Sequence, residues 1–164
     1  MLLGSVDLAK RRYDQAISEA QRAVTLAPNS SYAYFWLARI LNFSGRPTEA
    51  LAAAEKGARL NPRHPGYCLI QVAAAYMRMG RFEEARPLFE ETNNVTEPNN
   101  PAGHMWLAVI DIELGRNDDA RAEAAEVLRL SPHYSLATWQ QAYPLKDPVL
   151  QGRWRTDLRK AGLK

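Results

Sequence analysis

Residues 31–62 read SYAYFWLARILNFSGRPTEALAAAEKGARLNP, and the logic of the whole chain is contained in them. The first fourteen residues, SYAYFWLARILNFS, are apolar on nearly every side, as expected of a helix lying between neighbours. Gly45 follows, a residue that enters the left-handed conformation without steric cost and so ends a helix. Pro47 suits the first turn of a second helix, where its missing N–H breaks no bond. That helix runs through TEALAAAEKGARL to a stop at Asn61–Pro62. The unit is a helical hairpin.

Three residue types repeat this hairpin along the chain with one period. Ala16, Ala50, Ala85 and Ala120 are 34, 35 and 35 residues apart; Gly45, Gly80 and Gly115 are 35 and 35 apart, each followed by Arg; Pro28, Pro62, Pro98 and Pro132 are 34, 36 and 34 apart. Such self-similarity marks a solenoid of supersecondary units. The repeated alanines fit crossings too close for a larger side chain, and Gly4, Ala38, Ala73 and Ala108, seven residues before each turn, supply the matching small surface. Gly57 stands where the first unit has Ala23, at a helix-propensity cost of roughly 1 kcal/mol, which predicts close contact there. The predicted fold is all-α: four hairpins over residues 1–132 (about 1–29, shortened, then 30–63, 64–99 and 100–132), followed by a short helix and a capping helix in 133–164.

The pattern resembles the tetratricopeptide repeat (TPR). Trp36, Leu37, Ala38, Gly45, Ala50, Ala54 and Pro62 supply it in the second unit, and Trp106, Leu107, Ala108, Gly115, Ala120, Ala124 and Pro132 in the fourth. Leu3, Gly4, Tyr13, Ala16, Ala20, Ala23 and Pro28 show most of it in the first. The third unit departs most, with Gln71–Val72 for Trp-Leu and with Phe89 and Thr92 for small residues, and it carries extra residues on both sides of Gly80, so its helices are expected to be shifted or lengthened there. The resemblance implies a right-handed superhelix whose first helices line a concave, partner-binding face.

Both ends depart from the period. The first helix is short, because the turn at Arg11–Arg12 arrives so soon after Met1. A solenoid end without a polar cap presents a face meant for a neighbour, so the first repeat is expected either to follow further upstream sequence or to self-associate as a homodimer. Past Pro132, a stretch from Leu136 to Ala142 is stopped by Pro144, and Asp147–Pro148 reads as an N-cap with proline at N1. Leu150, Trp154 and Leu158 then fall on one helical face, with Arg153, Arg155, Arg159 and Lys160 on the others and Gly162 as the stop. This ending, with Pro132, Ser135 and Trp139, Pro144 to Pro148 and Leu158 to Leu163, resembles the tail after the TPR array in bacterial class III adenylate or guanylate cyclases and related TPR-bearing regulators. In those proteins the catalytic module is a separate α/β domain before the repeats; these 164 residues contain neither it nor its aspartate pair, so the resemblance carries no cyclase activity here.

Composition narrows the function classes. At 46% apolar and 24% charged the chain is neither disordered nor fibrous, and its longest apolar run, Cys68 to Tyr76 with Gln71 inside it, falls short of the roughly 20 residues that span a bilayer. With no secretory signal pattern and a single cysteine, the sequence reads as a cytoplasmic protein without a membrane partner. The net charge of +3 has an address: residues 1–145 hold 15 basic and 16 acidic side chains, and residues 146–164 hold 6 and 2. A solvated capping helix, with cations near its C-terminal dipole, explains those charges without nucleic acid.

No catalytic constellation is legible. His64, His104 and His133 lie 40 and 29 residues apart, without a second ligand at helical spacing, so no metal is expected. Asp7 and Asp111 occupy equivalent places two repeats apart and are expected to be local polar packing, and Cys68 a buried, inert thiol. The chain is expected to be non-catalytic and cofactor-free. Function is expected on the concave face, where alignment of the units places Tyr32, Phe35, Arg39 and Asn42, then Tyr67, Ile70, Ala74 and Met77, then Met105, Val109 and Ile112. This groove would be mainly apolar and bind a protein or peptide segment, with Arg39 and Asn42 fixing its orientation.

Overall fold

Four turns of one design set the architecture. In each, an amide reaches back five residues to close the end of a helix: Arg12 to Asp7 at 2.8 Å, Arg46 to Leu41 at 3.0 Å, Arg81 to Tyr76 at 2.9 Å and Arg116 to Asp111 at 2.7 Å. The residue before each donor is left-handed, at φ 75° for Gly45 and 76° for Gly80 and Gly115. In the first turn the same conformation is held by Arg11, at φ 59°, which has a Cβ to accommodate.

The computed structural model of the chain describes residues 2–63, 66–95 and 99–164, and within them the side chains other than those of residues 2–5, 95, 138, 140 and 141. Expectations placed on His64, on Pro98 and on the small surface at Gly4 lie outside what is described. Ten α-helices are present among the described residues. The hairpins are α1 (Leu2–Ala9) with α2 (Tyr13–Leu26), α3 (Ser31–Phe43) with α4 (Pro47–Leu60), α5 (Gly66–Arg78) with α6 (Phe82–Val95), and α7 (Pro101–Glu113) with α8 (Asn117–Leu130). Two helices follow, α9 (Leu136–Ala142) and α10 (Pro148–Lys160). Side chains cap the starts of α3, α7 and α10: Ser30 accepts from the Ala33 amide, Asn100 from Ala102, and Asp147 from both Val149 and Leu150.

The small residues predicted to lie at crossings do so. Ala16, Ala50, Ala85 and Ala120 are fully buried, as are Ala38, Ala73 and Ala108. At Gly57 the fit is closer still, since a Cβ there would stand 2.7 Å from Cys68 Sγ and 3.0 Å from Tyr34 Cβ. The stacking is uneven, however. Helix α3 packs along α5, whereas α5 and α7 scarcely touch. Between them stand Phe89 and Asn93 of α6, both buried. Phe89 occupies the place held by Ala20, Ala54 and Ala124 in the other units, where a methyl group lets helices close and a phenyl ring does not.

Candidate functional site

The inner face of the solenoid is occupied over half its length by the chain's own C-terminal segment. Trp139 of α9 donates its indole N–H to Met105 Sδ at 3.2 Å. The ring of Trp106 on α7 meets Trp139, Tyr143 and Trp154 edge-on, at centroid distances of 6.3, 5.0 and 5.5 Å. Tyr143 also stacks on Phe43 of α3 at 6.5 Å. The segment then reaches the first hairpin: the Lys146 amide donates to Phe43 O at 2.9 Å, the Tyr13 hydroxyl to Pro144 O at 3.3 Å, and the Arg11 guanidinium to Leu145 O at 3.4 Å. Trp139 and Trp154 are among the most completely buried side chains. Each removes about 150–250 Å² from water, or about 4–6 kcal/mol before ordering entropy, which outweighs the gain from leaving an apolar groove wet.

This placement corrects the expectation of an open groove. Met77, Met105 and Val109 are at most 1% exposed and belong to the core, so they are not accessible contact residues. Asn42 is equally buried because its amide bridges two helices, donating to Gln71 O at 3.0 Å and Gln71 Oε1 at 3.3 Å. Ala74 is buried and Ile112 partly so. The residues that remain together and reachable are Tyr32, Phe35, Arg39, Tyr67 and Ile70, on the α3 and α5 side. Tyr32 is 46% exposed and contacts Phe35 and Tyr67 at 5.8 and 6.2 Å, and Phe35 meets Tyr67 at 5.4 Å.

Where α5 and α7 part, the gap forms a half-enclosed cavity of about 310 Å³. Its walls come from α3 (Phe35, Arg39, Phe43), α5 (Ile70, Gln71, Ala74, Arg78), α6 (Phe89, Thr92, Asn93), α7 (Ala102, Gly103, Trp106) and the C-terminal segment (Ala142, Tyr143). Among the described residues no carboxylate lines it. Arg39 lies over Trp36 and Phe43, each at 5.5 Å, and Arg78 over Phe43 at 5.3 Å and Trp154 at 5.4 Å. Arg78 also donates to Ala74 O at 2.9 Å. Burial draws the Arg39 guanidinium below its usual range, and burial first and the nearby Arg39 second push Arg78 down to about 9. Removing a cation from water costs several kcal/mol when complete and less here, where both residues keep some solvent contact. Each cation–π contact returns about 0.5–2 kcal/mol. Arg78 and Asn93 were not legible as site residues. The one sequence signal was a lone cation ending the apolar run of α5.

Other candidates resolve into structural roles. His104 Nδ1 meets Glu123 Oε2 at 2.6 Å, His133 is exposed, and among the described residues no cluster of metal-ligating side chains forms. Fully buried Asp111 is held by Arg86 at 2.6 Å, with Glu90 on the same guanidinium, and Asp7 pairs with Arg12 at 3.6 Å. Cys68 lies against Ser31, its thiol pushed up by burial. Of the basic tail residues, Arg153 pairs with Glu113 and Lys160 with Asp157. Among the described residues no helix is long and apolar enough to cross a membrane.

Comparison with known proteins follows the same lines. A family model described as anaphase-promoting complex, cyclosome, subunit 3 matches residues 9–92, and a tetratricopeptide-repeat model matches 76–141. Over 77 residues, 47% of this chain, the sequence is 35% identical to the probable biofilm formation methyltransferase WspC of Pseudomonas putida; the match spans only 18% of that protein's length. Among solved structures, a thermophilic TPR protein of Thermus thermophilus superposes with a TM-score of 0.70 at 21% identity, over 96% of this chain and 78% of that one. YrrB, described as a TPR protein with an unusual peptide-binding site, superposes at 0.60 and 17% identity, over 96% and 80%. With the subunit 3 model spanning half of the chain and the repeat model continuing to residue 141, over hairpins closed by one recurring turn, the chain belongs to the tetratricopeptide-repeat family.

Proposed function

We propose that the chain is a non-catalytic interaction scaffold that binds a partner protein segment on the open half of its inner face, across Tyr32, Phe35, Tyr67 and Ile70, with Arg39 at its inner edge. The observation that carries this reading is the packed aromatic cluster of Tyr32, Phe35 and Tyr67, partly exposed on neighbouring helices beside a guanidinium. Such rigid aromatic surface is what interface hot spots use. The description of YrrB as peptide-binding supports the reading by likeness of fold. Met105, which accepts the Trp139 N–H, would join the surface only when α9 lifts away, whereas Asn42 is held between α3 and α5.

Panning a random peptide library against the chain tests it. Selected peptides are expected to bind Phe35→Ser and Tyr67→Ser at least tenfold more weakly than the parent chain, with thermal midpoints within a few degrees. Equal binding to parent and variants would sink this assignment.

A second reading is that the chain serves as the regulatory or self-associating region of a larger bacterial protein, such as a cyclase or a TPR-bearing transcription regulator. It is favoured by the match to a small part of a long methyltransferase and by exposed Val6 on the shortened α1. Sedimentation at high concentration reads the self-association, and a clean monomer counts against it.

A further inference from the structure

Arg39, Arg78 and Asn93 line the cavity between α5 and α7, and Arg39 Nε, Arg78 Nε and Asn93 Nδ2 are enclosed without an acceptor among the described residues. Buried donors are nearly always satisfied, so three orphans on residues that share one cavity mark it as short of acceptors. The guanidiniums are near enough for Arg39 to disfavour the charge on Arg78, and neither has an ion-pair partner among the described residues. Around them stand the faces and edges of Phe35, Phe43, Trp106 and Tyr143. The chemistry that completes this setting carries negative charge at one end and a flat apolar body at the other. Guanidinium forks match a carboxylate geometrically, and an anion between two cations replaces repulsion with attraction.

We propose that this cavity is a binding site for a small organic carboxylate with a flat apolar body, its charge held by Arg39 and Arg78 with Asn93, and its body enclosed by Tyr143. The volume lies at the lower end of small-molecule sites, and the C-terminal segment forms one wall, which suits a free acid better than the end of a threaded chain. The site shares Phe35, Arg39, Tyr67 and Ile70 with the partner surface proposed above, but it needs no partner to form. Because Tyr143 is part of the wall, occupancy also holds the C-terminal segment down on the groove.

Calorimetric titration and thermal shift of the full chain with 2-naphthoate test the proposal, with 2-naphthamide as the uncharged isostere, inorganic phosphate as the bodiless anion, and a short peptide ending in phenylalanine carboxylate. 2-Naphthoate is expected to bind saturably with one site and raise the thermal midpoint, with 2-naphthamide and phosphate at least tenfold weaker. Arg78→Met and Arg39→Met are each expected to weaken 2-naphthoate at least tenfold. Arg78→Met is also expected to keep or raise the midpoint in the absence of ligand, because an unpaired buried cation is gone. The proposal is overturned if 2-naphthamide or phosphate binds as well as 2-naphthoate, if Arg78→Met or Arg39→Met binds it like the parent chain, if no saturable binding occurs at millimolar concentration, or if only the peptide binds.

Discussion

Trp154 of α10 meets Trp106 of α7 edge-on, with centroids 5.5 Å apart and planes at 71°, and this pair seats the last helix inside the solenoid. Trp154→Ala is expected to cost about 3–5 kcal/mol, the usual range for losing a fully buried aromatic. It is also expected to free the segment for early tryptic cleavage at Lys146 or Arg153. Urea midpoints and a proteolysis time course check both, and unchanged resistance at those sites would contradict the seating role.

Asp111 is fully buried and its charge is balanced by Arg86 at 2.6 Å. Asp111→Ala takes the buried partner from Arg86, which keeps Glu90, and is expected to cost about 1.5–3 kcal/mol, whereas the double replacement Asp111→Leu with Arg86→Met recovers most of that loss. Denaturant titration of the three variants reads the coupling directly.

Gly57→Ala replaces a poor helix former with the best one, a gain of about 1 kcal/mol. It nonetheless is expected to destabilise by about 1–3 kcal/mol, because the new methyl group overlaps Cys68 Sγ at 2.7 Å. Adding Cys68→Ala should return part of the loss, as thermal melts of the single and double variants will show.

Arg11 holds at φ 59° the conformation that glycine holds in the other three hairpin turns. Arg11→Gly is expected to stabilise by up to about 1 kcal/mol, the relief of left-handed strain being partly offset by the lost bond to Leu145 O. A midpoint lower than that of the parent chain would mean that the bond outweighs the strain.

Burial pushes the Cys68 thiol above its ordinary value of 9.0. The unfolded chain therefore releases this proton first, so the stability tied to the neutral thiol is intact below pH 9 and is lost as pH rises through the folded value. Stability measured from pH 8 to 10.5 is expected to fall more steeply for the parent chain than for Cys68→Ala. Parallel curves would contradict this.

What was legible in the sequence and what was not divide along one physical line. The hairpins, their left-handed turns and their buried alanines were readable because each depends on residues a few turns apart, and a 35-residue period repeats the signal. The polar packing of Asp111 was readable for the same reason, as an exception at a known register. The path of α9 and α10 was not, because Leu150, Trp154 and Leu158 define an apolar face without naming what it covers. Nor was the meeting of Arg39, Arg78 and Asn93, which lie on three helices and converge only because Phe89 and Asn93 stand where α5 and α7 would otherwise close.

The bonds from Pro144, Leu145 and Lys146 to Tyr13, Arg11 and Phe43 have a mechanical consequence. An array in which each unit touches only its neighbours behaves as a spring and can unravel from either end, one unit at a time. A strap from the fourth unit to the first converts the spring into a closed frame. Bending it further strains the strap, and melting any one unit releases the others, so this short array is expected to unfold in a single step.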